Sequence, residues 1–358
     1  MRLMARSSAA LLLLFVLMWL ASCSGGDLYS APEFKHEYDV SFEVIGNELM
    51  YYPYQIAVSG NWLLVFGRTA DDNTVTVYDK GTGEEHKSGI KYGRGPLESI
   101  SGFRRVSVVE DTVHYHELSG NGGLSFSVSD FMTRGESACR QDSFACPQWC
   151  SYYSELPGGK TLFLVNYSYL LPDAPAVRRL SICDLSGREV HYDGSPVADR
   201  EKSFCLYQQP KVAFSPDGSK VAVSTASGAL LELFDISSGI RLISECRFLE
   251  PKITCKNGGY VYQDDYIFGF DRMSASDDRI YAVYDGQSTS AEQKRASVDA
   301  RPLLFKNIAV FDWRGNPISI YRSNYRIDSI CPDPDVPDII YAILSDADGR
   351  KYIGRATL

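Results

Sequence analysis

Apolar and polar positions alternate in short runs along nearly the whole chain after residue 34, and the clearest set lies between Pro210 and Cys246. There the runs 212–214, 220–224, 230–234 and 240–244 are separated by Ser215-Pro216-Asp217-Gly218, Ala226-Ser227-Gly228 and Ser237-Ser238-Gly239. Proline at the second position of a turn presets φ, and glycine at the fourth is favoured in a type I turn. Short β-rich runs joined by turns this tight are neighbouring antiparallel strands. The pattern predicts a four-stranded meander, the size of one propeller blade.

Similar sets recur along the chain. A first meander is expected from runs 56–58, 62–66 and 74–78, another from 104–109, 112–117 and 124–128, and another from 162–167 and 180–183. After the template come 266–270, 280–284 and 308–311, and last 328–331, 339–344 and 352–356. A landmark repeats with them: the third strand leaves through Tyr78-Asp79, Cys183-Asp184, Phe234-Asp235 and Phe311-Asp312, with Gly83, Gly187, Gly239 and Gly315 closing each turn. Asp130 holds the corresponding place in the second meander. Successive landmarks lie 51, 54, 51 and 77 residues apart. A near-constant period of this size is the mark of a repeat architecture. The long last interval is accounted for by the polar stretch 287–300, read as a loop inserted within a blade. One Asp per repeat is turn chemistry rather than a ligand set, because a short carboxylate bonds nearby backbone amides.

Five landmarks and a last meander of only three strands predict an all-β, six-bladed β-propeller. Its missing outer strand is expected from residues 34–45, so N-terminal and C-terminal strands pair and close the ring. Such closure removes exposed sheet edges. Two separate sandwiches predict no constant period.

The first residues change the picture of the compartment. Arg2 and Arg6 precede the apolar run 9–20, followed by Ala21, Ser22 and Cys23. A basic start, a short greasy middle and small residues form a secretory signal, shorter than the roughly 20 apolar residues of a spanning helix. Residues 1–22 are read as signal peptide, 23–33 as a flexible tether and 34–358 as one propeller domain. The net charge of the 358-residue chain is −9, and loss of a leader with two Arg makes the remainder more acidic. An acidic body without a Lys/Arg cluster argues against nucleic acid or anionic lipid as partner. Tyr (23), Phe (17) and Gly (29) suit many strands and turns.

Leu20-Ala21-Ser22-Cys23 resembles the bacterial lipobox, which implies cleavage before Cys23, diacylation of its thiol and attachment to a membrane through the lipid alone. This lipobox, the acidic β-rich body, the FSPDG turn at 214–218 and Gly93-Arg94-Gly95-Pro96-Leu97-Glu98 together resemble the TolB-like six-bladed propeller lipoproteins of the Bacteroides group. In those relatives a Gly-x-Gly-Pro-x-Glu segment leads out of the first blade. Leu97 stands where a second small residue is common. The resemblance implies a fold and an outer-membrane anchor, facing periplasm or exterior, rather than a reaction.

Nine cysteines in an exported chain, one of them lipidated, permit disulfides. Cys139, Cys146 and Cys150 sit close enough in sequence for one or two bridges, their pairing open, and several of the others are expected as small buried apolar residues. Neither a CxxC pair nor nearby His supports zinc there. His114 and His116 point to one face of a strand but lack a third ligand. Asp346-Ala347-Asp348-Gly349 has Thr357 where a calcium loop needs Glu. It and the acidic sets Asp71/Asp72 and Asp333/Asp335/Asp338 read as solvated turns. No resident metal or cofactor is expected.

Arg94 offers a fork to a carboxylate or to sugar hydroxyls, or a pairing with Glu98 that pins a crossing between blades. Tyr54 is one of several tyrosines at hand to stack on sugars or grip a peptide. Arg94, Glu98 and Tyr54 are therefore the candidate ligand-binding residues, with no catalytic set. The expected function is a binding or assembly module for an envelope protein, peptide or glycan. The rival is a divalent-metal-dependent hydrolase of lactonase or glycoside-cleaving type, with Ca2+ held in the channel.

Overall fold

In the computed structural model, the described residues are 29–49, 51–93, 95, 97–98, 105–109, 111–116, 123–142, 150–156, 161–166, 179–184, 189–256, 259–263, 265–287 and 304–358. They build a β-propeller. Consecutive strands form a first sheet over 52–91, a second over 105–142, a third over 150–192 and a fourth over 211–249, each with four antiparallel strands. A five-stranded sheet holds 270–323 together with His36–Val40, and a closing sheet of four strands holds 326–357 together with Glu43–Leu49.

The template region shows why the sheets stack. Its strands are Lys211–Phe214, Lys220–Ser224, Ala229–Asp235 and Arg241–Leu249. Side chains alternate between the faces of a strand, so one run supplies both. Val221, Val223, Leu230 and Phe234 pack towards the third sheet, while Ala222, Ala229, Leu231 and Leu233 pack towards the five-stranded sheet. Both faces are buried, and each large side chain here contributes about 1.5–3 kcal/mol. Similar clusters join first to second sheet, five-stranded to closing, and closing to first.

The N-terminal segment departs from expectation. Residues 34–45 were expected as one outer strand, but the chain forms two. Glu43–Leu49 runs antiparallel to Lys351–Thr357, with Val44 opposite Gly354 and Ile45 opposite Ile353, and this pairing closes the last sheet. His36–Val40 instead lies parallel to Pro317–Ser323. The break falls where Val40 and Phe42 both sink into the core between these two sheets. Six equal four-stranded blades are therefore not what forms: five sheets are of the plain four-stranded kind, and the other large sheet carries a fifth strand.

Other boundaries also move. The inner strand expected at 266–270 is Phe270–Ala275, and the stretch before it carries an unanticipated hairpin, Ile253–Lys256 with Gly259–Tyr262. Asp130 does not mark a strand exit. It sits in helix α1 (Val128–Arg134), capped by the Ser127 hydroxyl. A second helix, α2 (Arg200–Leu206), is capped by Asp199 and leads into the fourth sheet. The far end of the expected flexible tether is held down: Tyr29 packs on the core between third and fourth sheets, and the Ser30 amide donates to the Arg247 carbonyl. No helix among the described residues is long and apolar enough to cross a membrane.

Side chains hook neighbouring sheets together around the axis. Gln55 donates to the Val106 carbonyl at 2.7 Å, and the Ile56 amide donates to the Ser329 hydroxyl at 3.1 Å. Arg272 donates to the Asp328 carbonyl at 3.1 Å, and Lys211 lies 3.4 Å from Asp271. His114 Nδ1 lies 2.5 Å from Glu155 Oε2. These polar contacts tie five of the junctions between successive sheets.

Candidate functional site: the crossing end of the ring

In a ring of meanders, the turns joining strands one to two and three to four lie at one end. Connections between strands two and three, and those between sheets, lie at the other. The two ends are built differently.

At the turn end the landmark carboxylates cap their own turns. Asp79 accepts from the Gly81 and Thr82 amides at 2.9 and 2.8 Å. Asp235 accepts from the Ser237 amide and hydroxyl, and Asp312 from the Arg314 and Asn316 amides. The Ser237 hydroxyl first, then Arg241, hold Asp235 down to about 2. The Ser215 hydroxyl does the same for Asp217, also to about 2. One acidic set is not a solvated turn: Asp333 is buried and pairs with Lys80 of the first sheet at 3.1 Å, because the two turns abut.

At the crossing end the connections are long and meet one another. Residues 266–269 are clamped between 226–228 and 285–287. The Gly228 amide donates to the Ile267 carbonyl and the Gly269 amide to the Ala226 carbonyl, both at 2.8 Å, while the Gly286 amide donates to the Phe268 carbonyl at 3.0 Å. The backbones approach so closely that a Cβ on Gly269 would lie 1.5 Å from the Gly228 oxygen.

From this clamp rises a ladder of rings. Tyr262 stacks on Tyr266 with centroids 4.0 Å apart, Tyr266 meets the edge of Phe268 at 4.7 Å, and Phe268 meets Phe305 at 5.5 Å. Tyr262 is 42% exposed and Val261 55%, so the outer rung faces solvent. Flat rings with one open face suit stacking on a sugar or an extended peptide.

Beneath the crossing between third and fourth sheets lies a buried charged cluster. Arg179 holds Glu232 through two 2.7 Å bonds, and the Tyr207 hydroxyl donates to the same carboxylate at 2.5 Å. Arg179 is 4% exposed, Glu232 and Tyr207 not at all. Burial first, then the Glu232 charge, drive the Tyr207 hydroxyl far above its ordinary range, so it remains a donor. The guanidinium also lies 4.9 Å from the Tyr207 ring centre. This cluster is a keystone for the crossing, with each buried charge answered by a partner.

The sequence-predicted residues fall at several places. Glu98 folds back to accept from the Gly95 amide at 2.6 Å, within its own loop. Tyr54 lies on the inner strand of the first sheet, half-buried, its hydroxyl 3.0 Å from that of Tyr115. Arg94 and Cys23 lie outside the described residues, as do Cys146 and the side chains of Cys150 and His116. Cys139 is a thiol buried with Phe126 and Phe131, pushed up to about 11 by burial. Among the described residues no three of His, Cys, Asp or Glu gather as a metal cage.

Sequence reasoning missed the ladder and the keystone. A signal for the second existed: Glu232 is the lone charge in the run Leu230-Leu231-Glu232-Leu233-Phe234, and such a charge needs a buried partner. Nothing in the run names Arg179.

Comparison with known proteins agrees on architecture. A family model for TolB-like 6-blade propeller-like proteins matches residues 206–335. Among solved structures, a Bacteroides fragilis protein described as exported is similar at 14% identity and a TM-score of 0.57, covering 90% of this chain and 98% of that one. A member of the DUF4221 family from Bacteroides vulgatus is similar at 10% identity and a TM-score of 0.51, covering 89% and 98%. At such identity the likeness is one of fold. A search of curated proteins finds no match.

Proposed function

We propose that this chain is a lipid-anchored envelope propeller of the kind found in the Bacteroides group, tethered through Cys23 to the outer membrane, that binds a glycan or peptide and makes or breaks no bond. In this reading the ring counts six blades, the five-stranded sheet being a blade with an added edge strand. The partner meets the crossing end, where Tyr262 and Tyr266 supply a stacking platform, with Arg94, Glu98 and Tyr54 as further candidate contacts.

The observation that carries this is the ladder itself. Tyr262 presents an exposed ring already stacked on Tyr266, and exposed rings backed by a rigid clamp are a form that recognition sites take. Loops on a stiff ring bind without deforming it.

The test is a screen of envelope glycans and peptides by isothermal titration with the purified chain, repeated with Tyr262→Ala. A bound ligand should lose at least about fivefold in affinity, taking stacking on an aromatic ring as worth about 1–3 kcal/mol. The melting temperature should stay unchanged. Ligand binding indifferent to Tyr262, or efficient turnover of a substrate, rejects the proposal.

A further inference from the structure

Two cysteines at the crossing end face each other. Cys205 sits in the last turn of α2, and Cys255 on the hairpin strand Ile253–Lys256. Both are thiols here, and they share a hydrogen bond. A second contact fixes the approach independently: the Cys255 sulfur lies 3.3 Å from the Glu201 carbonyl oxygen. Glu201 and Cys205 are four residues apart on one helix, so they share a face, and Cys255 lies against that face. Cys205 is buried in the core between third and fourth sheets, and Cys255 packs on the same core from a more open position.

The geometry points to Cys205 and Cys255 as a disulfide-forming pair that staples α2 to the hairpin. The two residues flank the fourth sheet: one lies just before Lys211, where it starts, and the other just after Leu249, where it ends. A bond between them closes a covalent loop around one whole sheet, tying the crossing that enters it to the crossing that leaves it. It also fixes the hairpin that carries Tyr262, the outer rung of the ladder. Cross-links that close long loops constrain the unfolded chain most.

The chemistry is thiol–disulfide exchange with a disulfide-bearing oxidant, such as an oxidised dithiol oxidoreductase or glutathione disulfide. The more open Cys255 attacks as thiolate, forming a mixed disulfide and releasing one oxidant thiol. Cys205 then loses its proton and attacks the Cys255 sulfur, releasing the second. Two protein thiols become one disulfide, and one oxidant disulfide becomes two thiols. Burial pushes Cys205 up to about 12 and raises Cys255 as well, so closure is slow without a catalyst.

For its oxidising surroundings the pair rests on the exported location proposed above, and the experiment separates the two. The reduced full-length protein is incubated with glutathione disulfide, quenched with N-ethylmaleimide, digested and mapped by mass spectrometry. The expected result is one linked peptide joining Cys205 to Cys255, loss of both alkylation sites, and a melting temperature several degrees higher that falls back on adding dithiothreitol. Cys255→Ser should remove the linked peptide, and if that variant does not fold the wild-type map decides alone. Both cysteines alkylated, or found only as separate glutathione adducts, overturn the inference. The same map on protein trapped from its own envelope tests the compartment. A closed bond there supports both readings; an open pair that closes with glutathione disulfide supports the pair and counts against export.

Discussion

The two ends of the ring differ in their prevailing contacts, although Lys80 also ties Asp333 across two turns at the turn end. At the turn end, Asp79, Asp235 and Asp312 bond amides two to four residues away, and Asp217 closes its own turn through Ser215 and Ser219. At the crossing end, Arg179 meets Glu232, Gly269 meets Ala226, and Phe268 meets Phe305. The first set is written locally and repeats with the blades. The second joins distant parts of the chain, and the described crossings differ from one another. A fold built this way keeps a repeating frame at one end and non-repeating crossings at the other, where the proposed recognition would act.

The largest effect should come from the keystone. Glu232→Ala leaves the buried Arg179 without its carboxylate and should cost about 3–5 kcal/mol in urea unfolding. The pair replaced together, Arg179→Met with Glu232→Leu, should cost far less, because no charge is then stranded. Equal losses in the single and double variants would mean that the bond itself, rather than the orphaned charge, sets the cost.

Next comes the clamp. Gly269→Ala must push the 226–228 connection away, since its Cβ would collide with the Gly228 oxygen. A loss of roughly 2–3 kcal/mol is expected from such overpacking, together with weaker ligand binding through the displaced ladder. Unchanged stability would show the crossing end to be softer than its hydrogen bonds suggest.

The turn carboxylates should show the smallest effects and a pH signature. Asp217 and Asp235 are held near 2 in the folded chain against an ordinary value of 3.8. A depressed folded value contributes stability above pH 4 and loses it as pH falls from about 4 to 2. Both groups are solvent-screened, so each contributes less than about 1 kcal/mol. Acid titration of Asp217→Asn and Asp235→Asn should flatten this limb of the stability curve, and leave the neutral-pH limb lower by that amount. An unchanged acid limb would move the capping energy elsewhere.

Much of the frame was legible because its causes are local. Ser215-Pro216-Asp217-Gly218 predicts its turn from proline geometry, a short carboxylate and a glycine, and the structure has the Gly218 amide on the Ser215 carbonyl at 2.8 Å. The template strands follow the expected runs within a residue or two at most ends, the outer strand running on to Leu249. The N-terminal segment was legible only in part. Its pattern announces a strand, but whether residues 36–40 join the same sheet as 43–49 depends on where Val40 and Phe42 find a core. The keystone was half-legible: Glu232 declares a need, while its partner lies fifty-three positions away. The ladder was not, since ring stacking between residues 262, 266, 268 and 305 arises from the clamp beneath them.

By itself the sequence determined the repeat, the turns that punctuate it and the apolar character of both strand faces, because each rests on neighbours along the chain. Only the tertiary structure decided which sheet receives His36–Val40, which arginine answers Glu232, and which aromatic rings stack at the crossing end. Those outcomes depend on distances between segments that meet only once the ring has closed, and no local pattern encodes them.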